Sequence, residues 1–438
     1  LVIVIGVALV VALIAWLKMP AFVGLLIGSI FVGLAARMPL ADIPRAFQQG
    51  VGDTLGFTAI VIGLGTVIGK LLAESGGAVV VARALIAALG QRRLEWAIML
   101  AALIVGLPVF FQVGLVLLAP VLFTIVHETK VPLLRLGIPM LAGLAAAHGL
   151  VPPHPGPLAA IERLGADPGR TLFYSLIVCV PTVVIAGPLF GRFMTPRVNV
   201  QLGTVADQFV GVLPPARTPG LGITLTTILL PVILMLLSAL AQQTMPDGMA
   251  RRIIGLVGSP LVAMLVATVL SMYTFGIARG FNRASILKFA DDSLGPIAGV
   301  LLVVGAGGGF GRVLVAAGAD TAITQLIGQV HVSPLVLGYV IAVLLRLAVG
   351  SATVATITTA SVMAPMLAGP VQANRDLLVI AIGAGSGIAS HVNDGGFWLV
   401  KEYFNMSLGE TIATWTVMET VLSITAIVVV LLLALVVG

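Results

Sequence analysis

The sequence predicts an all-α polytopic membrane protein built as two inverted repeats, each with five transmembrane helices and one re-entrant hairpin. Three observations predict it. Of 438 residues, 59% are hydrophobic and 9% charged, with a mean hydropathy of +1.17, and near-charge-free runs recur that can cross a hydrocarbon core of roughly 30 Å as helices. The apolar segments fall into two groups of six. Four tracts of the first half recur, in the same order, in the second.

The first group lies at about 1 to 17, 20 to 36, 54 to 72, 96 to 126, 136 to 161 and 171 to 191. Its opening run, "LVIVIGVALVVALIAWL", has no basic stretch ahead of it and no small-residue cleavage site, so it reads as a retained span. The second group lies at about 221 to 243, 257 to 277, 293 to 313, 335 to 369, 377 to 404 and 410 to 437. Between them, residues 191–220 carry Arg192, Arg197 and Arg217 among prolines and polar residues, the composition of a cytoplasmic linker. The expected units are an N-terminal repeat (1–190), that linker, and a C-terminal repeat (221–438).

Charge and cysteine content narrow the function. The net charge of +6 is scattered over short loops, which suits contact with anionic membrane lipids and offers no tract for nucleic acid. Cys179, the single cysteine, sits in an apolar run, so no disulfide framework or cysteine metal cluster is available.

The repeat is read tract by tract. "DTLGFTAIVIGLGTVIGKLLAESGG" matches "DSLGPIAGVLLVVGAGGGFGRVLVAAGA", pairing Asp53 with Asp292, Gly56 with Gly295 and, after a short insertion, Lys70 with Arg312. "PVFFQVGLVLLAP" matches "RLAVGSATVATIT", "AAAHGLVPPHPGP" matches "GIASHVNDGGFW", and "PGRTL" matches "LGETI". With the N-terminus outside, and with 96–126 and 335–369 entering and returning on one side, most of the 23 Lys and Arg residues fall on one face, the cytoplasmic one. Five crossings per half then turn the second copy upside down, the architecture of secondary transporters.

Four segments are broken by glycine, proline or polar residues at membrane depth: 106–114, 146–157, 346–359 and 386–398. Such breaks are tolerated only where they line protein or a watery cavity. They expose helix N-terminal N–H groups to anions and freed carbonyls to cations, a preformed site for a small anion and a coupling cation. His391, Asn393 and Asp394 lie in one break, and ionisable groups there point to function before a structural turn. His148 and His154 bracket Pro152 and Pro153; either can donate to substrate, carry a proton, or lock onto a freed carbonyl. Ser351, Thr353 and Thr356, with Thr358 and Thr359, offer hydroxyls near a hairpin tip, although such groups often only bond the preceding turn. Arg346 has no carboxylate adjacent in sequence, so it grips either a substrate carboxylate or hairpin carbonyls. Gln112 is the corresponding polar group of the first hairpin. Zinc held by the three histidines and Asp394 is the rival reading, but the helical H-E-x-x-H spacing is missing.

"HGLVPPHPGP", "LRLAVGSATVATIT", "SHVNDGGFWLVKEYFNMSLGETI" and "GGFGRVLVAAGAD" closely resemble the bacterial gluconate permease (GntP) family of proton symporters, within the ion transporter superfamily. The resemblance runs over essentially the whole chain. It implies a carrier of the bacterial inner membrane for D-gluconate or related acids such as idonate, fructuronate, glycerate or D-serine, with the proton as coupling ion and no cofactor. It also implies a homodimer whose two hairpins and two broken helices move as an elevator against a scaffold, here the segments near 1–36 and 221–277. Under that reading the substrate carboxylate meets N–H groups around Gly350, Ser351 and Thr353 with Arg346, and its hydroxyls meet His154, His391, Asn393 and Asp394. One position departs: where the family usually has glutamate, in a tract like "YEVG", this chain has Gln112, which cannot titrate. The proton then falls to His148, His154, His391 or Asp394, unless Gln112 mimics a protonated acid.

Overall fold

In lipid, pressing one helix on another brings no hydrophobic gain, so close packing through small residues decides how such a chain folds. The computed structural model describes residues 2–203, 217–318, 333–368, 373–391 and 394–437, and every regular element among them is helical. The first half runs α1 (Val2–Ala15), α2 (Ala21–Ala35), α3 (Asp42–Glu74), α4 (Gly77–Leu89), α5 (Leu94–Gly106), α6 (Phe111–Thr129), α7 (Leu133–Leu150) and α8 (Pro155–Leu164). It closes with α9 (Pro168–Met194), which contains a π turn at Ile185–Leu189. The second half runs α10 (Leu221–Thr244), α11 (Met249–Val257), α12 (Pro260–Ser271), α13 (Arg283–Leu294), α14 (Ala298–Ala316), α15 (Pro334–Val349), α16 (Ala352–Met363), α17 (Arg375–Gly387) and α18 (Gly395–Tyr403). The last helix, α19 (Leu408–Val437), has its own π turn at Ile412–Thr416.

Among the described residues, eight helices are long and apolar enough to cross a membrane, and four shorter apolar ones accompany them. The expected segment 96–126 is the helix pair α5–α6, and 335–369 is the pair α15–α16 followed by a 3-10 turn. The segments at 136–161 and 377–404 are each two helices with an irregular link, α7–α8 and α17–α18. Several elements differ from expectation, and α11 and α13 lie almost entirely between the expected segments. Helix α3 starts at Asp42, well before the apolar run near 54, because its first turns are polar yet helix-compatible. Helix α4 lay outside the twelve expected segments, since Arg83 and flanking glycines dilute its hydropathy, although Val81 and Ala82 are fully buried. Helix α9 continues to Met194, past the expected start of the linker. The linker's middle, 204–216, lies outside the described residues.

Glycines set the closest crossings. A Cβ on Gly308 of α14 would lie 2.5 Å from the Gly50 carbonyl oxygen of α3, and the same Cβ on Gly383 of α17 would lie 2.5 Å from that of Gly149 in α7. The second crossing brings the two broken helices together backbone on backbone, each just ahead of its break. Most buried side chains belong to one core shared by both helix pairs and both broken helices. Helices α1, α2 and α14 build a separate, smaller one around Val10, Leu25, Val32 and Phe310.

Two buried acids fasten the ends. Glu95 at the start of α5 accepts from Arg192 Nε at 3.0 Å and pairs with Arg135 at 3.7 Å. Asp376 of α17 accepts from the Asp167 N–H at 2.7 Å and the Thr171 hydroxyl at 3.2 Å, with Arg170 at 3.0 Å. That second cluster ties the C-terminal half to the start of α9.

Candidate functional site

The site grows from two interruptions in the second half. Helix α15 ends at Gly350, whose φ of +80° lies in the left-handed region that glycine enters without a Cβ penalty. Ser351 then caps α16, its Oγ accepting from the Val354 N–H at 3.3 Å. The other interruption follows Gly387, where Ala389 also takes a positive φ of +47°. Asp394 restarts the helix as the cap of α18, its Oδ1 accepting from the Gly396 N–H at 2.9 Å.

Arg346 joins the two. It is 3% exposed; one Nη donates to the Gly350 carbonyl and the other donates to Asp394 Oδ2 at 2.5 Å. Asp394 also accepts from the Ser390 hydroxyl. The break is held from α19, whose Trp415 Nε1 donates to Ser390 Oγ at 2.8 Å and whose Thr416 hydroxyl donates to the Ser390 carbonyl. Both residues lie in the π turn, a helix distortion that recurs at functional sites.

Beside this junction lies a cavity of about 290 Å³. Its walls include Gln112, His148, Arg346, Gly350, Ser351, Thr353, Asp394, Trp415 and Glu419. The first half thus supplies Gln112 from α6 and His148 from α7; the second supplies the ion pair and the cap of α16. Two buried nitrogens here, Arg346 Nε and His148 Nδ1, have no hydrogen-bond partner among the described residues. Such groups are costly to leave unsatisfied, and both suit a polar ligand. The first N–H groups of α16 add an anion-attracting helix end.

Of the residues predicted from sequence, Gln112, His148, Arg346, Gly350, Ser351, Thr353 and Asp394 meet around this one space. Others point elsewhere. His154 is 4% exposed, stacks edge-on to His148 at 5.1 Å between centroids, and places Nε2 2.8 Å from the Gly106 carbonyl at the α5–α6 turn. It borders a separate small space with Pro108, Phe110 and Met264. Thr356 is buried against Gly156 of α8. His391 Nδ1 lies 2.8 Å from the Ala389 carbonyl, away from the cavity wall. Asn393 lies outside the described residues.

Sequence reasoning missed Glu419 and Trp415. Glu419 is an acid within the last apolar run, "TVMETVLSITAIVVVLLLALVV", a signal available in the sequence by the same argument applied to Arg346. It is 5% exposed and its carboxylate rests against Gly387, the last residue of α17. Gly350→Ala is the simplest probe of the α15–α16 turn. Forcing a Cβ into the left-handed region is expected to cost about 1–2 kcal/mol, read as a lower unfolding midpoint in detergent than the unaltered protein shows.

The comparisons with known proteins agree in direction. The family model for GntP family permease matches residues 1–436. A gluconate permease of Pseudomonas aeruginosa is 48% identical over 97% of this chain and 95% of its own length. A high-affinity gluconate transporter of Escherichia coli is 40% identical over 99% of this chain and 98% of its own. The Gnt-II system L-idonate transporter of Escherichia coli is 41% identical over 96% and 95%. Among solved structures, the YdaH transporter of Alcanivorax borkumensis superposes with a TM-score of 0.70 at 16% identity, covering 93% of this chain and 96% of that one. The likeness extends to fold alone.

Proposed function

This chain belongs to the GntP family of permeases, and from that premise we propose that it carries D-gluconate or a closely related sugar acid, together with a proton, across the bacterial inner membrane. The observation that carries the reading is the cavity at Arg346, where a buried guanidinium with an unsatisfied Nε faces the capped start of α16. A carboxylate fits that corner, since it accepts from both the guanidinium and helix N–H groups. Hydroxyls of a short polyol chain then reach Gln112, Ser351, Thr353 and Asp394. A cavity of about 290 Å³ stands at the lower end of small-molecule sites and suits an anion of that size.

In this reading α5–α6 and α15–α16 enter the membrane and return. With α7–α8 and α17–α18 they form an elevator-like moving unit, related as inverted repeats. Helices α1 and α2 and the α10–α12 segment form the scaffold and a homodimer face, and both termini are periplasmic.

The test is uptake of labelled gluconate into proteoliposomes. Accumulation driven by an imposed inward proton gradient, abolished by a protonophore and competed by idonate, is expected. No gradient-driven uptake of any sugar acid would refute the proposal. Sodium coupling is a second reading, favoured by the buried Thr358 and Thr359 hydroxyls, which find no partner among the described residues. Accumulation unchanged when choline replaces sodium would exclude it.

A further inference from the structure

The geometry points to Glu419 as the group that takes up and releases the coupled proton. The inference rests on the reading of the chain as a sugar-acid proton symporter and names the proton site within it.

The argument begins with charge. Arg346 and Asp394 touch and cancel. Glu419 shares their cavity and is 5% exposed. A Cβ built on Gly387 would lie 3.5 Å from its carboxylate oxygen, so it faces a neighbour with nothing to donate from a side chain. Among the described residues no ion pair is formed by Glu419, so when ionised it adds a negative charge to this space beside an Arg346 already paired with Asp394. A substrate carboxylate held at Arg346 is a second negative charge in the same small, poorly solvated volume, so the two repel strongly. A proton on Glu419 removes the conflict.

Coupling follows by linkage. The anion binds the protonated site better, so the proton binds the anion-loaded site better by the same factor. Outside, an O–H bond forms on the Glu419 carboxylate as the anion enters. Inside, the anion leaves, and the protonated Glu419 carboxyl then gives its proton to water, breaking the O–H bond and leaving the carboxylate ionised. Neither passenger is favoured alone.

The groups around Glu419 fit this role. Arg346 of α15 and Asp394 at the start of α18 are the charges whose fields reach it. From α7, His148 lines the same cavity, and from α6 Gln112 presents an amide that does not titrate. Helix α17 brings only Gly387 and its small neighbours to this end, its acid Asp376 being engaged at the other. Helix α9, also packed on α19, carries Tyr174 and Cys179 along its buried stretch. One turn further along α19, Tyr339 Oη meets Ser423 Oγ at 3.1 Å. The sequence match that pairs Gly169 with Gly409 and Thr171 with Thr411 pairs Glu419 with Cys179. At that matched position only the second half carries an acid.

The experiment is Glu419→Gln in proteoliposomes, beside Glu419→Asp. With glutamine, gluconate counterflow in the absence of a gradient is expected to persist and lose its pH dependence. Gradient-driven accumulation is expected to fall by about tenfold or more, and aspartate is expected to restore part of it. Gradient-driven accumulation by the glutamine variant equal to that of the unaltered protein overturns the assignment. Should the glutamine variant fail to fold, the unaltered protein decides. Gluconate added to it in weakly buffered detergent should draw about one proton per anion bound, and an anion bound without proton uptake overturns the inference. An unaltered protein that exchanges no gluconate would instead refute the sugar-acid reading beneath it.

Discussion

Arg346→Gln is expected to reduce sugar-acid uptake by at least about a hundredfold and to lower the unfolding midpoint in detergent. The second effect follows from burial: removing one partner of a buried ion pair leaves Asp394 uncompensated and typically costs about 3–5 kcal/mol. It also frees the Gly350 carbonyl, which the guanidinium now satisfies. Lysine is no substitute, because a point charge on a flexible stem cannot span the hairpin carbonyl and Asp394 at once. The double change Arg346→Leu with Asp394→Leu separates fold from function. Replacing a buried pair by apolar side chains is often neutral for stability, so the double variant should regain its unfolding midpoint while uptake stays lost. Uptake by the double variant would show that the pair only braces the hairpin.

Gly383→Val is expected to be the most damaging single change away from the cavity. Its Cβ would lie 2.5 Å from the Gly149 carbonyl oxygen, a backbone atom that cannot rotate away. The two broken helices must separate, at a cost of about 1–3 kcal/mol for overpacking alone. The readouts are yield of monodisperse protein and thermal unfolding. Gly222→Ala is the control, because nothing lies within 4 Å of a Cβ there and a helical Gly→Ala change gains roughly 0.5–1 kcal/mol. Equal behaviour of the two variants would mean that the crossing does not hold the helices together.

Much of this arrangement was legible in the sequence. Glycine, proline and polar residues inside apolar runs located all four helix interruptions, because a backbone in lipid breaks only where protein or water satisfies it. The charge of Arg346 announced a buried partner, yet that partner, Asp394, stands 48 positions away and required the fold to identify it. Local spacing was a poorer guide to direction. His148 and His154 flank the same break, but the chain turns between them, so one faces the cavity and the other clamps Gly106. Glu419 escaped notice because window hydropathy averages a lone acid into a strongly apolar helix. Its burial beside Arg346 depends on the rotation of α19 about its axis, which no periodicity in so uniformly apolar a run records.

The meeting of Gly149 and Gly383 has a consequence for selectivity. No side chain lies between the two backbones, so no rotamer can adjust the gap; it is set by the van der Waals radii of backbone atoms. Gly149 of this contact and Gly387, a turn beyond Gly383, both form part of the cavity wall. The width between the His148 wall and the Arg346 corner is therefore a fixed gauge. For the carboxylate-bearing anion proposed above, that gauge limits the length of chain that fits behind the carboxylate.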